Sequence, residues 1–263
     1  MSEEVQSGHV PQSGLLVMKP FLKWAGGKHK LVPLIRELLP EGVRLVEPFA
    51  GSGAVFLGTE FQENLIADIN PDLISLFSTL KANPESLIDE TKRLFQPQNN
   101  CQEAYYELRE EFNRADSGLR KSAIFVYLNR HCFNGLCRYN SAGKFNVPFG
   151  RYASPNPPLA EMWSFAEKAQ CAEFVCKDFR AILSEVRPGD VVYCDPPYVP
   201  LTDTANFTSY AKGGFGARDQ SELSELARAA SRGGVPVVIS NHDNDRTRSL
   251  YSGASISSFG VQR

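Results

Sequence analysis

Apolar and polar positions along the chain follow two periods, one of two residues and one of three to four. Short apolar runs that end in polar or glycine-rich turns predict β-strands at residues 43–47, 64–68, 173–176, 190–194 and 235–240. Helical spacing of apolar residues predicts helices between them, at residues 54–60, 72–81, 179–186 and 219–232. Strands that alternate with helices predict an α/β, Rossmann-like fold, with a mostly parallel sheet and helices on both faces. Ligands of such sheets bind at the carboxyl ends of the strands.

Residues 81–170 interrupt this alternation. Helical periodicity dominates residues 101–130 and returns at 159–170, whereas residues 131–158 are rich in Asn, Gly, Pro and aromatic residues and predict a structured loop outside the core. We therefore expect an inserted, mainly helical recognition subdomain at residues 81–170. The catalytic domain is expected at 19–80 and 171–263, after a disordered tail at 1–18. The chain stops inside a predicted strand at residues 257–263.

Composition is that of a soluble globular protein, with 42% apolar and 22% charged residues. Six cysteines are scattered without a histidine cluster, which favours free thiols in a reducing cytosol over zinc or disulfides. We expect no metal. The polar N-terminus lacks the apolar run of a signal peptide, and no stretch approaches the length of a membrane span. A cytoplasmic protein without membrane contact is expected.

Charge is distributed unevenly along the chain. The net charge is −2, which by itself argues weakly against a nucleic-acid partner. Residues 117–160, however, contain no Asp or Glu and carry six Lys or Arg, so this segment has a net charge of +6 and the remainder −8. A basic surface on an acidic body is typical of proteins that bind a polyanion.

A glycine-rich turn at residues 49–53 follows the first predicted strand, and Asp68 closes the next one. The turn lacks the spacing and the lysine of phosphate-binding loops. Glycines let a backbone approach a ligand closely, and the Asp68 carboxylate can accept both hydroxyls of a ribose. S-adenosylmethionine presents a nucleoside without phosphates. In residues 21–28, Trp24 is suited to pack on this cofactor and Lys28 to meet its carboxylate.

Residues 195–198, Asp-Pro-Pro-Tyr, carry the strongest chemical signal. The prolines hold the backbone rigid just past a strand. A carboxylate and a proline carbonyl can both accept hydrogen bonds from one amino group, while the tyrosine stacks on a base that has left the duplex. Asp195 favours adenine N6 over cytosine N4, whose enzymes commonly carry Ser at that position. An RNA amino-methyltransferase and a non-catalytic DNA-binding module remain alternatives.

The chain resembles the DNA adenine methyltransferases of the Dam type, alpha class, over about residues 19–263. The resemblance rests on FLKWAGGK, EPFAGSG, DIN, YLNRHCFNGLCRYN, KFNVPFGRY, YCDPPY, TANFTSY and ISNH, in separate segments of the chain. It implies transfer of a methyl group from S-adenosyl-L-methionine to N6 of a flipped adenine in double-stranded DNA, at GATC. Relatives of this type continue by a further hairpin and short helix, so we expect the C-terminus to be incomplete.

The resemblance also implies roles for individual residues. The catalytic residues would be Asp195, Pro196 and Tyr198. The cofactor-binding residues would be Trp24, Lys28, Phe49, Gly51, Gly53, Asp68, Asp178, Phe179 and Asp195. The DNA-binding residues would be Lys23, Phe133, Asn134, Arg138, Asn140, Pro148, Arg151 and Tyr152. Phe133 stands where the family usually has an intercalating tyrosine, and Arg138 suits bidentate contact with guanine.

The resemblance to solitary bacterial enzymes favours a role in DNA replication timing and mismatch repair over protection against a restriction partner. A monomer at the bacterial nucleoid is expected.

Overall fold

The computed structural model describes residues 18–198 and 215–260. Five strands form one parallel sheet with the order β3-β2-β1-β4-β5. Their bounds are β1 Arg44–Glu47, β2 Glu63–Asp68, β3 Ala172–Cys176, β4 Asp190–Cys194 and β5 Val237–Ile239. Every predicted strand before residue 241 is present, and the α/β class is confirmed. β1 and β4 lie inside the sheet, where continuous apolar runs can be buried on both faces.

Ten α-helices are present in the described part of the chain. Their bounds are α1 Val32–Leu38, α2 Ala54–Gly58, α3 Pro71–Ala82, α4 Pro84–Leu94, α5 Gln102–Arg114, α6 Leu119–His131, α7 Leu159–Lys168, α8 Phe179–Ser184, α9 Ala217–Arg232 and α10 Asp245–Leu250. α3 begins where predicted because the Asn70 side chain accepts hydrogen bonds from the backbone N–H groups of Asp72 and Leu73, and Pro71 occupies its first turn.

The segment between β2 and β3 shares one hydrophobic core with a face of the sheet. Phe77 of α3 and Phe165 of α7 lie 4.6 Å apart between ring centroids, and Phe21 packs against both. Tyr105 and Phe125, from α5 and α6, belong to the same buried cluster. Residues 81–170 are thus mainly helical, as predicted, and pack continuously onto the sheet.

The loop at residues 132–152 differs from its prediction. Two antiparallel bridges, Cys132 with Phe149 and Tyr139 with Phe145, fold it back on itself, and we call it the bridged loop. Phe145 and Val147 are fully buried in the main core, so the expectation that this region lies outside the core was wrong for them. The bridges turn alternate side chains inward, which composition alone does not reveal.

The prediction of a strand at residues 257–263 was also wrong for the residues of that range that the structure describes. Residues 255–260 form no strand, because a strand needs a hydrogen-bonded neighbour and this segment pairs with none of the described strands. The predicted tail, apart from Met18, and the TANFTSY motif lie outside the described residues. None of the described helices is long and apolar enough to cross a bilayer.

Candidate active site and nucleic-acid interface

The sheet register brings the predicted site residues to one edge. Val46 of β1 lies opposite Leu65 of β2 and Val192 of β4, so these three parallel strands end close together. The glycine turn follows β1, Asp68 ends β2, and the tetrapeptide 195–198 follows β4. All three predicted elements therefore meet at the carboxyl edge of the sheet, where ligands of such folds bind.

Asp195 is paired with Lys28. The Lys28 ammonium donates to Asp195 Oδ2 and to the Gly26 carbonyl, both at 2.6 Å, and lies 4.8 Å from the centre of the Tyr198 ring. Burial raises the pKa of Asp195, and the neighbouring Lys28 charge acts in the opposite direction. The second oxygen, Oδ1, is buried and has no hydrogen-bond partner among the described residues. An acceptor of this kind favours a ligand that brings its own donor.

Tyr198 is held at the same edge by aromatic contact. Its ring meets the His242 ring edge-on, with centroids 4.6 Å apart. Burial raises the pKa of the Tyr198 hydroxyl, and the Asp195 charge raises it further, so the phenol stays neutral. Tyr198 thus offers an uncharged aromatic surface beside the carboxylate.

The glycine turn is folded tightly against Trp24. Gly51 has a φ of +49°, and a Cβ atom there would lie 2.8 Å from Trp24 Nε1, so only glycine fits. The Asp68 carboxylate accepts hydrogen bonds from the backbone N–H groups of Gly51 at 3.1 Å and Asn70 at 2.9 Å. Gly53, with a φ of +70°, starts α2. Asp68 therefore fixes the turn as well as lining it.

An aromatic cluster lies between the glycine turn and α8. Phe49 stacks on Phe179 at 5.4 Å, and Phe215 lies 5.6 Å from each ring. Asp178 caps α8 by accepting a hydrogen bond from the Arg180 N–H at 2.8 Å, and it also pairs with the Arg180 side chain. The fold brings Phe49 and Phe179 together, whereas much of the Asp178 carboxylate is engaged by Arg180.

The base of the bridged loop, directly after Cys132, exposes an aromatic ring. Phe133 is 51% exposed, and its backbone N–H donates to the Pro148 carbonyl at 2.9 Å. Asn134 has a φ of +54°, and its N–H donates to the Tyr152 hydroxyl at 3.0 Å. A non-glycine residue in this region of backbone space is uncommon and persists where neighbours hold it. The backbone thus projects the Phe133 ring into solvent.

Lys23 joins the N-terminal segment to this loop. Its ammonium lies 4.3 Å from the centre of the Tyr152 ring, a cation–π distance. Its backbone N–H donates to Asn129 Oδ1, and Asn129 Nδ2 donates to the Lys23 carbonyl, both at 2.8 Å. A Cβ atom at Gly135 would lie 2.5 Å from Lys23 Cβ, so the two segments touch. Burial lowers the pKa of Lys23, and the Arg130 charge lowers it further.

The remaining predicted DNA contacts lie on the exposed side of the bridged loop. Arg138 is exposed, and it donates through Nε to Asn146 Oδ1 at 2.9 Å and through Nη2 to the Asn146 carbonyl at 3.5 Å. Asn140 Oδ1 accepts from the backbone N–H groups of Ala142 and Lys144, so this side chain shapes its own turn. Pro148 and Arg151 are exposed. The side-chain carbonyl oxygen of Asn140 is therefore already engaged within the loop.

Comparison with known proteins decides the family. The family model described as D12 class N6 adenine-specific DNA methyltransferase matches residues 24–263. The chain belongs to this family. The DNA adenine methylase of Vibrio cholerae serotype O1 is 51% identical over 239 residues, which cover 90% of this chain and 86% of that protein. The DNA adenine methylase of Escherichia coli (strain K12) is 48% identical over 245 residues, which cover 93% and 88%.

The family resolves the alternatives that the sequence left open. This methyltransferase acts on DNA, at N6 of adenine. The family thereby excludes the three alternatives, which were cytosine N4 as the target, RNA as the substrate and a purely DNA-binding role. The predicted resemblance to adenine methyltransferases is confirmed.

The charge of the basic segment needs a correction. Arg120 pairs with Glu90 at 2.6 Å and with Glu111 at 2.8 Å, and Lys121 pairs with Asp72 at 2.9 Å. These cations are neutralised by acids outside the segment, so its charge of +6 overstates what the surface offers to DNA. Arg138 and Lys144, both exposed on the bridged loop, retain their charge toward solvent.

Three buried polar residues near the site were missed by sequence reasoning. Glu47 ends β1, is 2% exposed, and has an Oε1 without a partner among the described residues. Burial raises the pKa of Glu47 to about 8. Asn129 holds Lys23, and Gln220 of α9 contacts the tetrapeptide. Glu47 could have been found from the sequence, because it is a carboxylate at the end of a predicted strand. Asn129 and Gln220 could not, because each is distant in sequence from the backbone that it contacts.

Proposed function

We propose that this DNA adenine methyltransferase transfers the methyl group of S-adenosylmethionine to a flipped adenine in GATC, with Asp195, Pro196 and Tyr198 as its catalytic residues. The single observation that carries the assignment of the site is Asp195 Oδ1, which is buried and unpartnered among the described residues while Lys28 holds Oδ2. GATC is supported by the family resemblance of the sequence. Both relatives are DNA adenine methylases, which is consistent with it.

The cofactor cradle fits S-adenosylmethionine. Gly51 leaves a face that a side chain would fill, and Trp24 lies against it. Asp68, at the end of β2, is suited to a ribose, and the Phe49–Phe179 stack to an adenine ring. The unpartnered oxygen of Glu47 is an acceptor at the same edge. When bound, the cofactor supplies an electrophilic methyl group.

Asp195 and Pro196 would orient the target nitrogen. The lone pair of adenine N6 is delocalised into the ring, which makes the nitrogen a weak nucleophile. Asp195 Oδ1 would accept one N6 hydrogen and the Pro196 carbonyl the other, which favours a tetrahedral nitrogen with its lone pair toward the methyl group. As the N6–carbon bond forms, the methyl–sulfur bond of the donor would break, and Asp195 Oδ1 would accept the surplus N6 proton and release it to solvent. Lys28 keeps this carboxylate an acceptor.

The bridged loop would hold the DNA. Phe133 would wedge between bases when the adenine leaves the stack, at a cost of a few kcal/mol in unstacking. Arg138 would contact a guanine edge, and Lys23, Asn134 and Tyr152 would lie at the target. Arg151, Pro148 and Asn140 would complete this surface, with Asn140 contributing mainly through its turn. The same loop would thus open the duplex and contact the edges of its bases.

The wider assignments remain part of this proposal. Residues 81–170 would form the recognition subdomain, and residues 19–80 and 171–263 the catalytic domain. The chain would act as a monomer on nucleoid DNA in the bacterial cytoplasm, in replication timing and mismatch repair.

Incorporation of labelled methyl groups tests the proposed target directly. Duplexes that contain GATC should accept label into N6-methyladenine, and duplexes with GTTC in its place should not. Equal incorporation into both would refute GATC. Label in cytosine would refute the assignment of the target base.

A further inference from the structure

Gln220 is a buried amide in the apolar face of α9. It is 3% exposed and lies in line with Leu223 and Ala227, which pack into the core at helical spacing. An amide in such a place is costly unless its donors and acceptor are matched. Gln220 Nε2 donates to the carbonyl oxygen of Pro197 at 2.9 Å. A helix that follows the site along the chain therefore holds the catalytic tetrapeptide.

The orientation of this amide is fixed from its other side. Gln220 Oε1 accepts a hydrogen bond from Asn241 Nδ2 at 3.2 Å and one from the Tyr251 hydroxyl at 3.3 Å. If the Gln220 amide were rotated by 180°, its NH2 group would face the two donors Asn241 Nδ2 and the Tyr251 hydroxyl, which is unfavourable. Asn241 is held in turn, because its Oδ1 accepts from the His242 N–H at 2.9 Å. Gln220 must therefore point its NH2 group at Pro197.

The tetrapeptide can be anchored through few backbone groups. Neither Pro196 nor Pro197 has an N–H, so their carbonyls are the backbone atoms left for hydrogen bonding. The ring of Pro197 fixes φ, and a hydrogen bond to its carbonyl fixes ψ, the remaining soft torsion. That torsion sets the direction in which the chain continues to Tyr198.

We infer that Gln220 is a positioning residue for adenine methylation, acting through the Pro197 carbonyl to set the backbone of the tetrapeptide and the ring of Tyr198. The inference rests on the proposed catalytic role of residues 195–198. Gln220 touches neither the base nor the methyl group, so its loss should slow the transfer step and leave binding nearly intact.

Gln220→Met tests this role, because methionine has a similar length and no donor. We expect the single-turnover rate constant on unmethylated genomic DNA to fall about 10- to 100-fold, the size expected for a misplaced reacting group. Dissociation constants for DNA and for S-adenosylmethionine should stay within about threefold, since no contact with either is removed. Genomic DNA makes the result independent of the recognition sequence.

Ser224→Ala is the matched control. Ser224 lies one turn further along α9, is buried, and donates to the Leu250 carbonyl at 2.8 Å, away from the tetrapeptide. It should lower Tm and leave the transfer rate unchanged. Gln220→Glu provides a second variant of native size. Burial favours its protonated form, which can still donate to the Pro197 carbonyl, so its transfer rate should exceed that of Gln220→Met at low pH and fall as the pH rises and the proton is lost.

The outcomes separate the two claims. Transfer by Gln220→Met at the Ser224→Ala rate would overturn the positioning role. A loss explained by weaker binding, or a Gln220→Glu rate at low pH no higher than that of Gln220→Met, would overturn it as well. Asp195→Ala, measured in parallel, addresses the site itself. Wild-type transfer by Asp195→Ala would overturn the proposed catalytic assignment.

Discussion

The carboxyl edge of the sheet and the bridged loop are built in opposite ways. At the sheet edge, polar side chains are buried or half-buried and face one another, as in the pair of Lys28 and Asp195. In the bridged loop, buried groups hold the backbone and the functional side chains face outward. Tyr105 donates to the Val147 carbonyl at 2.8 Å, and Asn113 brackets the backbone of Phe145 through its N–H and carbonyl. On the proposed assignment, the sheet edge would supply a preorganised acceptor for methyl transfer, and the bridged loop would supply a rigid frame with exposed side chains for DNA binding.

Asp190 and Asp195, at the two ends of β4, allow effects on the transfer rate to be distinguished most clearly from effects on the free energy of unfolding. Asp195→Ala should lower the transfer rate about 10³-fold or more, because it removes the acceptor and the partner of Lys28. Binding of duplex DNA should be nearly unchanged. Asp190→Asn is the control, since Asp190 pairs with Arg44 at 2.7 Å at the other end of the strand. It should lower the free energy of unfolding and spare the rate; the reverse pattern would contradict the assignment.

The pH dependence of stability tests whether Glu47 is buried as a neutral acid at the sheet edge. The pKa of a glutamate is about 4.5 in the unfolded chain, and burial raises the pKa of Glu47 to about 8 in the folded protein. The folded protein therefore keeps a proton that the unfolded chain releases, so this contribution to stability is full below pH 4.5 and is lost as the pH rises through 8.

Glu47→Gln should remove that dependence. Relative to this variant, the wild-type free energy of unfolding should fall by roughly 2 kcal/mol between pH 6 and pH 8 without cofactor. Urea unfolding at each pH measures it. Parallel pH profiles for the two proteins would show that Glu47 is not buried as a neutral acid.

Arg138 tests sequence reading in the bridged loop. Arg138→Ala should weaken discrimination at one base pair by about 1–3 kcal/mol, because the proposed bidentate contact with guanine would be lost. Lys144→Ala is the control from the same loop and should weaken binding to all duplexes alike, with a salt slope smaller by about 1. Competition between GATC and single-substitution duplexes at fixed salt gives both values. Unchanged discrimination in Arg138→Ala would remove it from base reading.

Phe133 tests the opening of the duplex. Phe133→Ala should weaken duplex binding and base flipping about tenfold, from the loss of one stacking ring. Fluorescence of 2-aminopurine at the target position reports the flipped base. Trp163→Ala, which removes an exposed aromatic on α7, should have no effect. Equal effects of the two substitutions would argue against a wedge.

Local pattern predicted most of the fold and the first layer of the site. The strand ends, the glycine turn and the tetrapeptide are short, contiguous signals, and parallel strands must bring them to one edge. Sequence pattern suggests a cofactor contact for Lys28, but it does not reveal the hydrogen bond from Lys28 to Asp195, which lies 167 residues away in sequence. The hydrogen bond from Gln220 to Pro197 and the neutralisation of Arg120 depend in the same way on tertiary contacts. The sequence pattern therefore predicts which residues lie at the site. The contacts that fix the orientation of their side chains can be read only from the folded structure.

One paired measurement tests the separation of chemistry from recognition most directly. Single-turnover rate constants and the ratio of dissociation constants for GATC and near-cognate duplexes are determined for wild type, Asp195→Ala and Arg138→Ala. The account predicts that Asp195→Ala loses the rate and keeps the ratio, whereas Arg138→Ala loses most of the ratio and keeps the rate at saturating DNA. A common loss of both quantities in both variants would contradict it.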